Sequence, residues 1–164
     1  MFLNKSKVFL SLTKARLSFS VVFSTLAGYI LAVELVNFFD LALLLIGGYC
    51  MVGASNSFNQ IIEKDKDALM DRTKKRPLPT KEISISNAFW ISVLLTLAGL
   101  GILYTINYKT AFFAAVSVFI YTCIYTPLKP ITPLSVFVGA IPGAIPFMLG
   151  WVAATNSFGI EPGT

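Results

Sequence analysis

The sequence predicts an all-α protein that lies in a membrane as a bundle of transmembrane helices. Hydrophobic residues make up 55% of its 164 residues and charged residues only 13%, and the mean hydropathy is +0.75. This composition leaves too little polar surface for an ordinary soluble domain of that length. The charges are also segregated, so the apolar intervals between them are long enough to cross a hydrocarbon core of roughly 30 Å.

Five of these intervals are predicted to be membrane spans. A spanning helix needs about 20 mainly apolar residues, and the intervals that meet this are 17–36, 41–62, 86–106, 110–126 and 133–153. The fourth is short, and the second carries polar residues at one end. The sequence shows no internal repeat, low-complexity tract or separate soluble region, so we expect residues 1–164 to form a single transmembrane domain.

The first span has an alternative interpretation as a secretory signal, because Lys14 and Arg16 precede an apolar run. Its apolar run is longer than the usual signal core of about 7–15 residues, and no convincing small-residue cleavage site follows it. We therefore expect this segment to be a retained helix.

The basic residues predict the orientation of the bundle. Placing the N-terminus, the 63–85 loop and the 127–132 turn on one side leaves only Lys109, of 13 basic residues, on the other. By the positive-inside rule the basic side is cytoplasmic, and the membrane would be a bacterial inner membrane. The net charge of +5 is then explained by topology, and no motif indicates nucleic-acid binding. The basic side collects Lys5, Lys7, Lys14, Arg16, Lys64, Lys66, Arg72, Lys74, Lys75, Arg76, Lys81 and Lys129.

A polar stripe lies at the end of the second span. At helical spacing Asn56, Asn59, Glu63 and Asp67 share one side of the helix, here called the polar face, whereas Asp65 points elsewhere. Polar groups facing lipid are costly, so this face should meet the bundle interior or a water-filled cavity. A solvated helix end is the simpler alternative, but it does not explain the one-sided placement.

The polar face and the basic residues after it together suggest a diphosphate site. Oxygen ligands suit a hard cation such as Mg²⁺, which keeps waters and shares substrate phosphates. Basic side chains suit the phosphates themselves, although a cytoplasmic basic run alone is more often a headgroup-binding patch. Pro77 and Pro79 end any helix and can hold the run over the polar face. The run comprises Arg72, Lys74, Lys75, Arg76 and Lys81.

These residues resemble the first aspartate-rich motif of the UbiA superfamily of membrane prenyltransferases. The N-Q-x-x-E-x-D-x-D form from Asn59, followed by R-T-x-x-R-P-L-P from Arg72, is most similar to the haem-farnesylating branch of that superfamily, the haem O synthases. The segment Y-T-P-L-K from Tyr125 to Lys129 is similar to the superfamily's Y-x-x-x-K element. The stretch G-A-I-P-G-A-I-P from Gly139 resembles the fifth helix of the same branch.

The resemblance implies a bundle of nine transmembrane helices in which Mg²⁺ bridges two acidic motifs and a prenyl diphosphate. Asn59, Glu63 and Asp67 match metal and diphosphate ligands, and Tyr125 and Lys129 match the Y-x-x-x-K element. The resemblance thus implies that these five residues are catalytic. Substrate-binding residues are then Asn56, Arg72, Arg76 and Lys129.

The activity implied is transfer of a farnesyl group from farnesyl diphosphate to a vinyl group of haem B, giving haem O, in contact with membrane lipid. One alternative is a UbiA-type enzyme with a quinone or chlorin acceptor. Another is a non-catalytic membrane subunit that binds ions or lipid.

The same resemblance predicts where this sequence ends in the fold. Phe158 to Thr164 looks like the loop after the fifth helix, so the second acidic motif would lie on C-terminal helices outside these residues. We therefore expect residues 1–164 alone to be inactive, because one motif supplies too few anionic ligands for Mg²⁺ and a diphosphate.

The charge distribution predicts the outcome of a topology experiment. Reporter fusions after Lys81 and after Lys129 should report the cytoplasm, and a fusion after Lys109 the opposite side. Paired phosphatase and fluorescent-protein fusions measure this. A periplasmic signal after Lys81 would contradict both the orientation and the proposed position of the diphosphate site.

Overall fold

The computed structural model of the chain describes residues 2–158, and the side chains of residues 5–158. Within these residues every regular element is helical, as the sequence predicts. The helices are α1 (Phe2–Leu12), α2 (Ala15–Ala32), α3 (Phe38–Leu69), α4 (Ile85–Ile106), α5 (Tyr108–Phe119), α6 (Thr126–Leu128) and α7 (Ser135–Thr155), with a π-helical segment (Ile120–Tyr125) joining α5 to α6.

Among residues 2–158, five helices are long and apolar enough to cross a membrane, which confirms the predicted number of spans. They are Ala15–Ala32, Phe38–Leu69, Ile85–Ile106, Tyr108–Leu128 and Ser135–Thr155. The fourth combines α5, the π-helical segment and α6. Many large apolar side chains on these helices are exposed, such as Phe23 at 68% and Phe137 at 75%. Such surfaces suit contact with lipid or with further helices rather than with water.

Several predicted boundaries are wrong by a few residues. The first span ends at Ala32 instead of 36, because Val33 takes an extended conformation and Asn37 starts the next helix. The Asn37 side chain accepts hydrogen bonds from the backbone N–H groups of Phe39 and Asp40, which is a typical helix N-cap. The second span continues to Leu69 instead of 62, so the predicted 63–85 loop is shorter and Glu63 and Asp67 lie on α3.

Helix α1 was not predicted from the sequence. This helix ends against α3, where three side chains donate to its free C-terminal carbonyl groups. Gln60 donates to the carbonyls of Ser11 and Leu12, Ser57 to Leu12, and Asn56 to Thr13. The chain then turns sharply at Lys14, which has a left-handed conformation (φ 48°), and enters α2. Residues 159–164, most of the predicted final loop, lie outside the described residues.

The bundle is held together by α3, which packs on α2 and α4, and by a close contact between α2 and α7. That contact has glycine on both sides. A Cβ atom at Gly28 would lie 2.0 Å from the carbonyl oxygen of Phe147, and one at Gly150 would lie 2.1 Å from that of Thr25. The two backbones therefore touch, and any side chain at these positions would force the helices apart.

Gly150→Ala should destabilise the bundle, because its methyl group would overlap the backbone of α2. Overpacking of this kind costs about 1–3 kcal/mol or more. Gly101→Ala on α4 is the matched control, since a Cβ there meets nothing within 4 Å. Thermal unfolding in detergent, followed by tryptophan fluorescence, should show a lower midpoint only for Gly150→Ala. Equal midpoints would show that α2 and α7 separate easily.

Candidate active site

The polar face of α3 points into the bundle, where it is shielded from lipid. Asn56 and Asn59 are each 2% exposed and Asp67 is 4% exposed. The side chain of Glu63 is 13% exposed, whereas that of Asp65 is 88% exposed and pairs with Lys64. The helix thus separates two kinds of carboxylate, one kept inside the bundle and one held in solvent.

Each carboxylate of the polar face forms an ion pair with a cation from another element. Arg76 Nη1 lies 2.6 Å from Asp67 Oδ2, and Lys129 Nζ lies 3.1 Å from Glu63 Oε1. Arg76 comes from the segment after α3, and Lys129 from the end of the fourth span. The sequence-predicted residues Glu63, Asp67, Arg76 and Lys129 are therefore brought together.

The segment after α3 folds back on the end of its own helix, which explains the position of Arg76. The buried hydroxyl of Thr73 donates to the carbonyl of Asp67 at 3.0 Å. The backbone N–H of Lys74 donates to Met70, and that of Arg76 donates to Thr73. Leu78 is buried against Leu12 and Ala88, so the segment is fixed at both ends.

A cleft of about 290 Å³ lies beside these ion pairs and is here called the polar cleft. Of the basic run, only Arg72 and Arg76 reach it. Lys74 pairs with the exposed Asp71, and Lys75 and Lys81 do not line the cleft, so the expectation that the whole run covers the polar face is wrong. The lining residues are Glu63, Lys66, Asp67, Met70, Arg72, Thr73, Arg76, Lys129 and Pro130.

Lys14 contacts the polar face, which was not predicted from the sequence. Its Nζ donates to Asn59 Oδ1 at 3.0 Å, and within the described residues no carboxylate forms an ion pair with it. Burial lowers the pKa of Lys14 to about 8, and the charge of Arg76 adds to this, although Glu63 and Asp67 oppose it. A basic residue just before a span usually sets topology, so its position in the sequence did not indicate a contact with the polar face.

Asn59 links Lys14 to the fourth span. Besides accepting from Lys14, it donates from Nδ2 to Thr126 Oγ1 at 3.3 Å. The hydroxyl of Thr126 in turn donates to the carbonyl of Tyr121, across the π-helical segment. By contrast, Asn56 donates to the carbonyl of Thr13 and to Ser18 Oγ, so its amide hydrogens hold the turn between α1 and α2.

A second cavity, of about 350 Å³, lies deeper in the bundle and is here called the apolar cavity. Tyr125 lines this cavity and not the polar cleft, although it stands only one helical turn before Lys129. Asn56 also lines it, about 10 Å along α3 from Glu63. The other lining residues are Leu17, Val21, Val52, Ser55, Ser117, Tyr121, Val136, Gly139, Pro142, Gly143 and Pro146.

The oxygen ligands of the polar face suit a metal ion that also binds oxygen atoms of a substrate. In the described part of the chain, no group of three or more His, Cys, Asp or Glu residues is placed to hold a metal. Glu63 and Asp67 provide two carboxylates one helical turn apart, with the amide oxygen of Asn59 on the same face. Mg²⁺ commonly binds through one or two carboxylates together with phosphate and water oxygens, so these residues suit it.

Comparison with known proteins identifies the family. Residues 21–164 match the model of the UbiA prenyltransferase family. The chain belongs to this family. The resemblance seen in the sequence is thus confirmed, and this UbiA-family chain is an integral membrane protein with five candidate spans among its described residues.

Several relatives of this UbiA-family chain carry the name protoheme IX farnesyltransferase. The protein of Flavobacterium psychrophilum is 64% identical over 159 residues, which cover 95% of this chain and 53% of the relative. The protein of Christiangramia forsetii is 63% identical, and the match covers 95% of this chain and 52% of the relative. That of Cytophaga hutchinsonii is 45% identical, covering 96% and 56%. The chain thus spans about half the length of the curated relatives it matches.

Two solved structures have a fold similar to that of this chain. A UbiA homologue from Archaeoglobus fulgidus bound to DMAPP and Mg²⁺ has a TM-score of 0.82 at 19% identity, covering 93% of this chain and 56% of that one. A solved structure from work on digeranylgeranylglyceryl phosphate synthase in membranes has a TM-score of 0.85 at 20% identity. The match covers 92% of this chain and 54% of that one. At these identities the likeness shows the fold of the family.

Removal of Arg76 should destabilise the UbiA-family bundle, because it leaves the buried charge of Asp67 without its partner. Breaking a buried ion pair from one side costs about 3–5 kcal/mol. Lys74→Ala is the matched control, since Lys74 pairs with an Asp71 side chain that is 96% exposed, and exposed pairs contribute only about 0–1 kcal/mol.

Unfolding in mixed micelles measures both free energies. Arg76→Ala should lose much more stability than Lys74→Ala, and Asp67→Asn added to Arg76→Ala should recover part of the loss, because the unpaired charge is then removed. Similar losses for Arg76→Ala and Lys74→Ala would mean that Asp67 is solvated.

Proposed function

We propose that this chain carries the prenyl-diphosphate-binding part of a protohaem IX farnesyltransferase. The enzyme would transfer a farnesyl group from farnesyl diphosphate to one carbon of a vinyl group of haem B, while water adds a hydroxyl to the other carbon, giving haem O, diphosphate and a proton. The observation that carries the proposal is a cleft with two carboxylates and several cations at the end of the bundle, next to an apolar cavity within it. The names of relatives up to 64% identical support the haem acceptor.

The polar cleft suits the diphosphate group. Arg72, Arg76 and Lys129 line it, and Lys14 stands beside them without a carboxylate partner among the described residues. Cations that hydrogen-bond to phosphate oxygens form strong charge-assisted contacts. In this structure Arg76 and Lys129 are ion-paired with Asp67 and Glu63. A bound diphosphate would therefore either share these two cations with the carboxylates or replace the carboxylates as their partner.

Glu63 and Asp67 would hold Mg²⁺, with Asn59 as the third ligand of the same face. When bound, this ion would stabilise the negative charge that develops on the departing diphosphate. Asn59 Oδ1 accepts from Lys14 here, so the same oxygen is suited either to a metal ion or to orienting the Lys14 amine. Either role keeps positive charge beside the phosphates.

The residues of the apolar cavity would protect the reacting carbon. As the C–O bond breaks, both electrons leave with the diphosphate, and the cations of the cleft stabilise them. The allylic carbon then carries positive charge that water would quench, and the apolar lining limits water entry. Tyr125 can offer its ring face to this charge, and Asn56 lies at the polar edge of the same cavity.

We propose that the cleft faces the cytoplasm of a bacterial cell, at the inner membrane. The positive-inside rule supports this, since Lys14, Arg72, Arg76 and Lys129 all lie at the same end of the bundle. Lys109 lies at the other end, where its Nζ donates to the carbonyl of Asn156. Lipid would cover the exposed apolar side chains that remain outside the bundle.

We also propose that residues 1–164 do not complete the transfer by themselves. Glu63 and Asp67 are the carboxylates that line the cleft in the described residues, and they are already neutralised by Arg76 and Lys129. Further anionic ligands from C-terminal helices of the same protein would therefore be needed to hold Mg²⁺ and a diphosphate together.

A chimera tests the proposed function. This chain replaces the matched half of the Flavobacterium psychrophilum relative, to which it is 64% identical. The purified chimera is expected to convert haem B and farnesyl diphosphate to haem O in a reaction that EDTA abolishes, whereas residues 1–164 alone give no product. Prenylation of a quinone or chlorin instead would contradict the haem assignment. Mg²⁺ binding without any transfer would support a non-catalytic subunit, and EDTA-sensitive transfer by the 164 residues would contradict the need for further helices.

Variants of the chimera test the site. Asn59→Ala, Glu63→Gln and Asp67→Asn should each lower kcat/KM strongly, by about 100-fold or more, because each removes stabilisation of the leaving group. Asp65→Asn is the matched control, since it removes a carboxylate from the same helix but from a side chain that is 88% exposed. It should retain most of the activity. Equal losses in Asp65→Asn and Asp67→Asn would contradict the assignment of the polar face.

A further inference from the structure

Two glycines of α7 line the apolar cavity in different ways. A Cβ atom at Gly139 would lie 2.7 Å from Cε2 of Tyr125, so this glycine makes room for the tyrosine ring. A Cβ atom at Gly143 would meet nothing within 4 Å. Gly143 thus borders the cavity without any neighbour occupying the space that its missing side chain leaves.

The helical position of Gly143 shows which way a side chain there would point. Gly143 follows Gly139 by four residues and precedes Pro146 by three, and both neighbours line the same cavity. Residues at these spacings lie on one face of a helix. A side chain at position 143 would therefore project toward the apolar cavity, about one helical turn beyond the glycine that contacts the Tyr125 ring.

Gly143 also lies farther from the polar cleft than Tyr125 does. Helix α7 starts at Ser135, just after the Lys129 turn that borders the cleft, and ends at Thr155, close to the opposite end of the bundle. Gly143 is about 12 Å along the helix from Ser135, whereas Gly139, under the Tyr125 ring, is about 6 Å along it. A prenyl chain whose diphosphate lies in the cleft would pass Tyr125 first and reach Gly143 with its later carbons.

We propose that Gly143 determines the length of the prenyl chain that the apolar cavity admits. The inference rests on the proposed function and adds a specificity residue to it. The cavity volume of about 350 Å³ is near the lower limit of ordinary ligand pockets, which is about 300 Å³, so one added side chain would take a large share of the space. The absence of a side chain at Gly143 then leaves room for the distal part of a farnesyl chain.

The test uses the chimera with Gly143→Ala and Gly143→Leu. Gly101→Ala and Gly101→Leu are matched controls, because a Cβ at Gly101 on α4 also meets nothing within 4 Å, and Gly101 does not line the apolar cavity. Each protein receives haem B with dimethylallyl, geranyl or farnesyl diphosphate. The kcat/KM for each diphosphate is measured, together with its inhibition constant against farnesyl transfer, which does not require turnover of the shorter substrates.

Gly143→Leu should lower the preference for farnesyl over geranyl diphosphate by at least about tenfold, since even one methylene in an apolar pocket changes discrimination by that much. Gly143→Ala should shift the same ratio in the same direction by less, and the Gly101 variants should leave it unchanged. The inhibition constants should change in parallel with kcat/KM.

Three results would overturn the inference. These are an unchanged farnesyl-to-geranyl ratio in both Gly143 variants, an equal loss for all three chain lengths, and an equal shift in the Gly101 variants. In each case the unsubstituted chimera remains active and the proposed function stands. A chimera that is inactive with every prenyl diphosphate would instead contradict the proposed function, and the role of Gly143 with it.

Discussion

The two ion pairs between the polar face and its surroundings are the constraint on which the rest of this structure depends. Carboxylates at the end of a spanning helix are costly unless they are paired, and here each takes a cation from a different element. The pair with Arg76 joins the segment after α3 to the polar face, and the pair with Lys129 joins the end of the fourth span to the same face. The same contacts therefore join three parts of the chain and gather cationic groups around one cleft.

Much of the fold could be predicted from the sequence because its signals are local. The lengths of the apolar runs predicted five spans. Helical spacing predicted that one face of the second span carries Asn56, Asn59, Glu63 and Asp67. Lys14 could not be found in this way, because its role depends on a left-handed turn and on a contact with Asn59, which lies 45 residues away. Helix α1 was missed for a similar reason, since its end is held by side chains of α3.

The sequence also could not separate the two parts of the site. Tyr125 and Lys129 belong to one motif and stand one turn apart, yet Tyr125 lines the apolar cavity and Lys129 the polar cleft. Likewise, Arg72 and Lys74 are near neighbours in the sequence, but only Arg72 lines the cleft. Lys74 instead forms an ion pair with the exposed side chain of Asp71. The second difference follows from how the segment after α3 folds back, which periodicity alone does not describe.

The π-helical segment from Ile120 to Tyr125 makes the helix register of the fourth span sensitive to chain length. A π-helical turn holds one more residue than an α-helical turn, so it acts as a single-residue insertion within an otherwise regular helix. Each residue of an α-helix turns the chain by about 100°. Loss of one residue here would rotate Thr126 and Lys129 away from Asn59 and Glu63 without changing either side chain. The arrangement of the proposed site thus depends on a residue count as well as on residue identity.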